Sequence, residues 1–236
     1  MGNIKTKDKQ DNILHLINYN ANNLPNSIYS NNIIDNIINK KHNIIFCFQG
    51  LRDKYINDNN KLFISEELGL GTYSNKNISF IKSKKFKSNL YELDNKYYGY
   101  QQSKLVFNSN KLFIYNVEFI PDINKNINTI EYREKQLQEL LYEIYKNENK
   151  INIIFASIKN NKNTFKKLIN ISNISNLMNL DSDNSFIFIY SKKFLDDIKK
   201  LNSFLYEEFN IEIVEESLYS SNETFPFEII IKLKKK

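Results

Sequence analysis

The chain has 236 residues, of which 41% are hydrophobic and 14% are aromatic, and its net charge is +6. This composition excludes wholesale disorder and supports a sizeable core, while the length fits one large domain or two small ones. No apolar segment approaches the roughly 18 residues that span a bilayer, and no secretory signal is visible. We therefore expect an intracellular, cytoplasmic protein with a flexible arm over residues 1–10 and a single domain over residues 11–236.

Lysine carries almost all of the positive charge, since Arg52 and Arg133 are the only arginines. Lysine is a point charge that attracts phosphate but lacks the bidentate fork with which arginine reads bases. Asn, Ile and Lys are abundant whereas Gly, Pro and Trp are scarce, which is typical of an AT-rich genome such as that of a virus or parasite. The charge permits weak binding to phosphate or to a nucleic-acid backbone, but a solvated lysine surface is the simpler explanation.

The predicted elements of the first half are mostly strands. The first strand covers residues 12–20, and a helix with isoleucines near helical spacing follows Pro25. The apolar strand Ile44–Gln49 comes next. The segments "NISFIKS" and "FKSNLYEL" predict a strand pair, and "YGYQQSKLVFNSNKLFIYNVEF" predicts a hairpin that turns at "NSNK".

The second half begins with the strongest predicted helix, Thr129–Asn147, for which Thr129 is a suitable N-cap. Its apolar stripe consists of Ile130, Leu137, Leu140, Leu141 and Ile144. The elements that follow are the strand Ile151–Ala156, a short helix at "NTFKKLINI", the strand Phe186–Tyr190, a further helix, the segment "NIEIVEESLY" and the strand Phe227–Leu233. This mixture predicts an α+β fold, an α/β sandwich of two packed mixed β-sheets flanked by helices, with residues 44–48 and 151–156 in central strands.

The cysteine and histidine residues do not form a recognisable catalytic pattern. Cys47 is the only cysteine, so no internal disulfide can form, and it lies in an apolar run where a thiol usually acts as a small hydrophobe. His15 lies in another apolar strand, and His42 lies at a predicted turn. We therefore expect core or surface roles for all three residues.

Eight short segments follow one another in a recognisable order. They are "LINYNANNL", "IIFCFQG", "NISFIKSKKF", "KLFIYNVEF", "YREKQLQELL", "IIFASIKN", "FIFIYSKKF" and "NETFPFEIII". Together they resemble the strands and the Arg-x-x-Gln helix of the endonuclease/exonuclease/phosphatase family, whose fold is DNase I-like. Tyr19 and Asn20 match its opening strand. Arg133 and Gln136 match its helix, and Pro226 matches its closing strand.

The catalytic positions of that family carry other residues in this chain. Gly50 stands where the family has its metal-binding Glu, and Glu118 stands where it has the His that ends the central strand. Ser157 and Lys159 replace the Asp and Asn of Gly-Asp-x-Asn. The Asp of the penultimate strand falls near Phe186, and the closing Asp-His pair falls on Glu223 and Thr224. The family's hydrolysis needs a divalent cation held by carboxylates and a His that assists the attacking water. Only Asn20 and Glu223 match residues that could keep their roles, so the resemblance implies that metal binding and catalysis are lost.

Three interpretations remain open. The first is a catalytically inactive protein without a cofactor, reused for binding or structure, with an unknown protein partner and weak phosphate binding through Asn20 and Lys159. The second is a divergent phosphodiesterase or nuclease with magnesium, built on Glu118, Glu223, Asp181 and Asp183. The third is an unrelated α/β domain with a similar apolar pattern. The Arg-x-x-Gln helix argues against the third, and the missing ligands favour the first.

The N-terminal segment "MGNIKTKDK" fits the pattern for myristoylation of Gly2, with Thr6 at the required position. Lys5, Lys7 and Lys9 would add attraction to anionic lipid. We therefore expect membrane binding only if Gly2 is acylated. A solvated arm without this modification is the alternative.

Overall fold

The computed structural model describes residues 12–20, 35–39, 43–50, 62–89, 96–121, 129–157, 185–190, 211–218 and 227–233. The strands in these ranges are β1 (Ile13–Asn20), β2 (Ile44–Gln49), β3 (Leu62–Ser65), β4 (Leu70–Ser74), β5 (Ile78–Lys85), β6 (Gly99–Phe107), β7 (Asn110–Glu118), β8 (Ile151–Ser157), β9 (Ser185–Tyr190), β10 (Ile211–Leu218) and β11 (Phe227–Leu233). Helix α1 is Thr129–Tyr145, and residues 35–38 are also helical. None of the helices in the described ranges is long and apolar enough to cross a membrane.

The strands form two mixed sheets. Sheet A has the order β10-β11-β1-β2-β4-β3, and sheet B has the order β5-β6-β7-β8-β9. Each sheet contains one parallel pair, β1 with β2 and β7 with β8, and the other neighbours are antiparallel. The predicted α/β sandwich is confirmed, and β2 and β8 are interior strands as predicted.

The alternation of side chains along each strand divides the apolar residues into three layers. The layer between the sheets contains Leu14, Leu16, Ile45, Leu112, Ile114, Ile153 and Phe155. On the outer face of sheet B, α1 buries Leu137, Leu140, Leu141 and Ile144 against Tyr115, Val117 and Ile154. On the outer face of sheet A, Ile37 and Ile38 pack with Ile17, Phe46 and Phe48.

Several local predictions differ from the structure. The strand predicted at "FKSNLYEL" is not found in its described part, residues 86–89, and β5 pairs with β6. Strands β3 and β4 were not predicted, since their short segments lack a clear alternating pattern. Ile130 does not belong to the buried stripe of α1, because 38% of its surface is exposed. The β6–β7 hairpin is confirmed, and Asn108 and Ser109 supply the positive φ angles of its two-residue turn.

A network of buried amides joins the two sheets above the apolar layer. Gln49 Nε2 donates to Asn18 Oδ1 and to Asn116 Oδ1, at 2.7 Å in both cases. Asn116 Nδ2 on sheet B donates across the sandwich to the carbonyl oxygens of Phe48 (3.1 Å) and Gly71 (2.8 Å) on sheet A. Asn18 Nδ2 reaches sheet B in the opposite direction, at 3.1 Å from Ala156 O. These directional bonds fix how the sheets lie on one another, because an apolar layer alone does not specify one alignment.

Replacing Asn116 with leucine tests this network. Asn116→Leu removes a buried donor to two carbonyl oxygens and one of the two acceptors of Gln49 Nε2. We expect the free energy of unfolding to fall by about 3 kcal/mol. Urea denaturation measures the loss, and Gln138→Leu on the exposed side of α1 is the control, with an expected change within about 0.5 kcal/mol. A loss below about 1 kcal/mol for Asn116→Leu would show that the network is not a major constraint.

Glu143, near the end of α1, ties the helix to strand β5. Its carboxylate lies 2.7 Å from Lys82 Nζ, 3.0 Å from Lys146 Nζ and 3.5 Å from Lys84 Nζ. We call these three residues the lysine cluster. Burial acts to raise the pKa of Glu143, but the hydrogen bonds from Lys82 and Lys146 outweigh it and lower the pKa to about 2.

The Glu143 contact predicts a specific loss of stability in acid. A carboxylate whose pKa is lowered on folding contributes stability above its unfolded pKa, and this contribution is lost as the pH falls toward the folded pKa. The window therefore runs from the ordinary value of 4.5 down to about 2. We expect about 1–2 kcal/mol from this group, since the partly exposed lysines weaken the pairing.

Denaturant titrations of the wild type and Glu143→Gln at several pH values measure this contribution. The difference in unfolding free energy should be largest at neutral pH and should shrink through the same window as the wild type is protonated. A difference that does not depend on pH would contradict the assignment.

Candidate functional site

The central strands of both sheets end at one edge of the sandwich. The parallel pairs place Asn20 beside Gln49 in sheet A and Glu118 beside Ser157 in sheet B. Side chains two residues apart on a strand lie on the same face of the sheet. Because Asn18 and Asn116 face inward, Asn20 and Glu118 face inward as well. We call the edge formed by Asn20, Gly50, Glu118 and Ser157 the mouth of the sandwich. The structure therefore brings four of the sequence-predicted positions to one edge.

Gly50 leaves β2 in a conformation that favours glycine. Its φ angle is 78°, in the left-handed region, so the chain turns away at the end of the strand. A side chain at this position would be strained and would not continue the inward row of β2. The mouth therefore lacks a carboxylate at the end of β2, both by residue type and by backbone direction.

The carboxylate of Glu118 is paired with a lysine that sequence reasoning did not select. Lys96 Nζ lies 2.6 Å from Glu118 Oε1, and the side chains are 26% and 6% exposed. Lys96 precedes β6, whose first residue Gly99 pairs with Glu118. The sequence shows that Lys96 lies three residues before Gly99, the first residue of β6. It does not show that Gly99 pairs with Glu118, so the ion pair could not be predicted before the β6–β7 register was known.

The described residues at the mouth do not by themselves fit a divalent cation of the kind that the resemblance implies. Magnesium prefers several oxygen ligands, usually including one or two carboxylates. Here Glu118 is the carboxylate, and its oxygen is bound to an ammonium group, while Ser157 supplies a hydroxyl and Gly50 supplies no side chain. In the part of the chain that the structure describes, no three His, Cys, Asp or Glu side chains come together to form a metal site.

Cys47 is not part of this site. It is fully buried between the sheets, with its sulfur 3.8 Å from Thr72 Oγ1. Burial raises the pKa of the thiol well above its ordinary value, so it stays protonated and has no nucleophilic role. The expected core role of Cys47 agrees with its position.

Arg133 and Gln136, the two helix residues that match the family pattern, are both buried, and Gln136 joins α1 to neighbouring segments. Gln136 is fully buried, accepts from Ile120 N at 3.1 Å and donates to Ser88 O at 2.6 Å. It thereby connects α1 to the chain that follows β7, just beyond Glu118. Arg133 is also fully buried and donates from Nη2 to Thr129 Oγ1 at 3.1 Å.

The remaining predicted site residues lie outside the described ranges. They are Gly2, Lys159, Asp181, Asp183, Glu223 and Thr224. The predicted helix at "NTFKKLINI", most of the helix that follows Pro25, and His42 also lie outside them. Binding through Lys159 and the carboxylate set of the enzyme interpretation stay predictions.

Comparison of the structure with solved structures gives the same architecture with low sequence identity. A variant of the Staphylococcus aureus beta toxin aligns with a TM-score of 0.58 and 12% identity, covering 94% of this chain and 100% of the toxin. An endonuclease/exonuclease/phosphatase from Bacteroides vulgatus aligns with a TM-score of 0.57 and 10% identity, covering 94% and 99%. The human Nocturnin catalytic domain with bound sulfate aligns with a TM-score of 0.57 and 9% identity, covering 93% and 94%.

No known family model matches the sequence, and no curated protein matches it. The structural likeness is therefore carried by the fold. The chain has the DNase I-like α/β sandwich of two mixed sheets, and its structural neighbours include members of the endonuclease/exonuclease/phosphatase family.

Proposed function

We propose that this protein is a catalytically inactive relative of the endonuclease/exonuclease/phosphatase enzymes that has been reused as a binding or structural protein. The observation that carries this proposal is the Lys96–Glu118 ion pair at 2.6 Å. It puts an ammonium group at the mouth, against the one carboxylate that the described residues place there. The fold persists because the residues that pack the sheets differ from those that perform chemistry.

The chemistry of phosphodiester hydrolysis supports the same interpretation. A cation must polarise the phosphate and stabilise the leaving oxygen, and a base must take a proton from water. Gly50 and Ser157 provide neither carboxylate nor imidazole, and Glu118 is already paired with Lys96. Losing several such groups together leaves little activity, because they act as a unit.

Binding without catalysis remains chemically reasonable at this mouth. The side-chain amide of Asn20 can bind a polar group, and Lys159, outside the described residues, would add a cation that attracts phosphate. No cofactor is required for either contact. A protein partner fits the same proposal, because the mouth offers polar groups that need not react.

The proposal predicts no metal-dependent turnover. Purified protein incubated with Mg²⁺ or Mn²⁺ and labelled DNA, RNA or a small phosphodiester should release no product above the buffer rate. Glu118→Ala should give the same trace, and EDTA should change nothing. Turnover that is abolished both by EDTA and by Glu118→Ala would refute the proposal and would favour a divergent metal-dependent phosphodiesterase.

A further inference from the structure

The lysine cluster around Glu143 lies on the outer face of sheet B, on the opposite side of that sheet from the inward-facing residues of the mouth. Glu143 is 7% exposed, whereas the side chains of Lys82, Lys84 and Lys146 are 36%, 37% and 52% exposed. The carboxylate is therefore inside, and the ammonium groups are at the surface. Two of the lysines come from β5 and one from the end of α1, so the cluster depends on the fold and not on a run of charge.

The charges of this group do not cancel. Three lysines surround the one carboxylate of Glu143, while the carboxylate of Glu139, one turn earlier on α1, accepts from the backbone amides of Lys87 and Ser88. The lysines therefore outnumber the acids at this point on the surface. One ammonium would suffice to pair with Glu143, and Lys82 at 2.7 Å already does so. Each ammonium has three N–H donors, so donors remain directed to solvent after Glu143 is satisfied. Glu143 therefore holds together a set of cations that suits an anion with several charges.

An exposed aromatic ring adjoins the cluster. Tyr142 is 65% exposed, the largest fraction among the large hydrophobic residues in the described ranges. Lys146 Nζ lies 4.4 Å from the centre of its ring, which fixes the ring beside the cations. The combination of a basic groove or cluster with an open aromatic ring is typical of surfaces that bind single-stranded nucleic acid, where phosphates meet lysines and a base stacks on the ring.

We propose that the lysine cluster and Tyr142 form a binding surface for single-stranded nucleic acid. Lys84 and Lys146 contact the phosphates, Lys82 remains with Glu143, and Tyr142 stacks with a base. Recognition is independent of sequence, because lysine lacks the geometry for base readout and every base has a face that can stack. The surface lies away from the mouth, so this binding does not require the mouth to be active or inactive.

Fluorescence anisotropy with a labelled oligothymidylate of about 12 nucleotides tests the proposal directly. The variant Lys84→Gln/Lys146→Gln removes two cations and keeps Lys82 for Glu143. We expect it to bind about tenfold more weakly at low salt. The slope of log K against log salt should also fall in magnitude by about 1.4, the value for two lost phosphate contacts on a single strand.

Tyr142→Ala separates stacking from charge. It should weaken binding about tenfold while leaving the salt slope unchanged, since no cation is removed. Because Tyr142 is exposed, this variant should fold even if the double lysine variant does not.

The matched control is Lys111→Gln/Lys135→Gln, which removes the same number of charges from exposed positions on β7 and α1. It should change affinity by less than about twofold. Absence of binding by the wild type at low salt would overturn the proposal, and so would equal weakening by the control pair.

A separate measurement of binding to vesicles that contain phosphatidylserine distinguishes nucleic acid from a membrane surface. If the cluster variant lost vesicle binding but kept oligothymidylate binding, the surface would belong to a membrane contact and the proposal would be wrong.

Discussion

The arrangement of the two sheets depends on the side-chain amide of Gln49. Its nitrogen is shared between Asn18 of its own sheet and Asn116 of the opposite sheet, at 2.7 Å each. Asn116 in turn donates to carbonyl oxygens of sheet A, so each sheet supplies donors and acceptors to the other. Buried amides are costly when unpaired, and only one alignment of the sheets pairs them in this way. The ends of the central strands, and therefore the mouth, are positioned by this constraint.

The mouth lies at the edge of the DNase I-like frame. The inward-facing residues of β1 are leucines, then Asn18, and then Asn20 at the edge. Those of β7 are a leucine and an isoleucine, then Asn116, and then Glu118 at the edge. The frame up to the amides needs only packing and hydrogen bonds, and it has the DNase I-like architecture. Beyond the amides, the ammonium group of Lys96 balances the negative charge of Glu118 at the edge. Any cation that bound Glu118 would have to displace this ammonium group from Oε1.

Much of the fold could be predicted from the sequence because long apolar strands and a periodic helix dominate it. The β6–β7 hairpin, the interior positions of β2 and β8 and the extent of α1 all followed from periodicity and turn residues. The partner of β5 did not, because pairing depends on sheet register and the following segment has a similar pattern. At the site, Gly50, Glu118 and Ser157 could be found by matching strand ends. Lys96 and the amides could not, since their roles arise only when two sheets meet.

The most direct test of the account is a crystal structure from protein grown with Mn²⁺, analysed by anomalous scattering at the mouth. The account predicts no anomalous peak among Asn20, Glu118 and Ser157, and a Lys96–Glu118 contact close to 2.6 Å. A strong peak at this position, with the Glu118 carboxylate turned from Lys96 to ligate the ion, would contradict the claim that Glu118 is held by Lys96 and binds no metal ion.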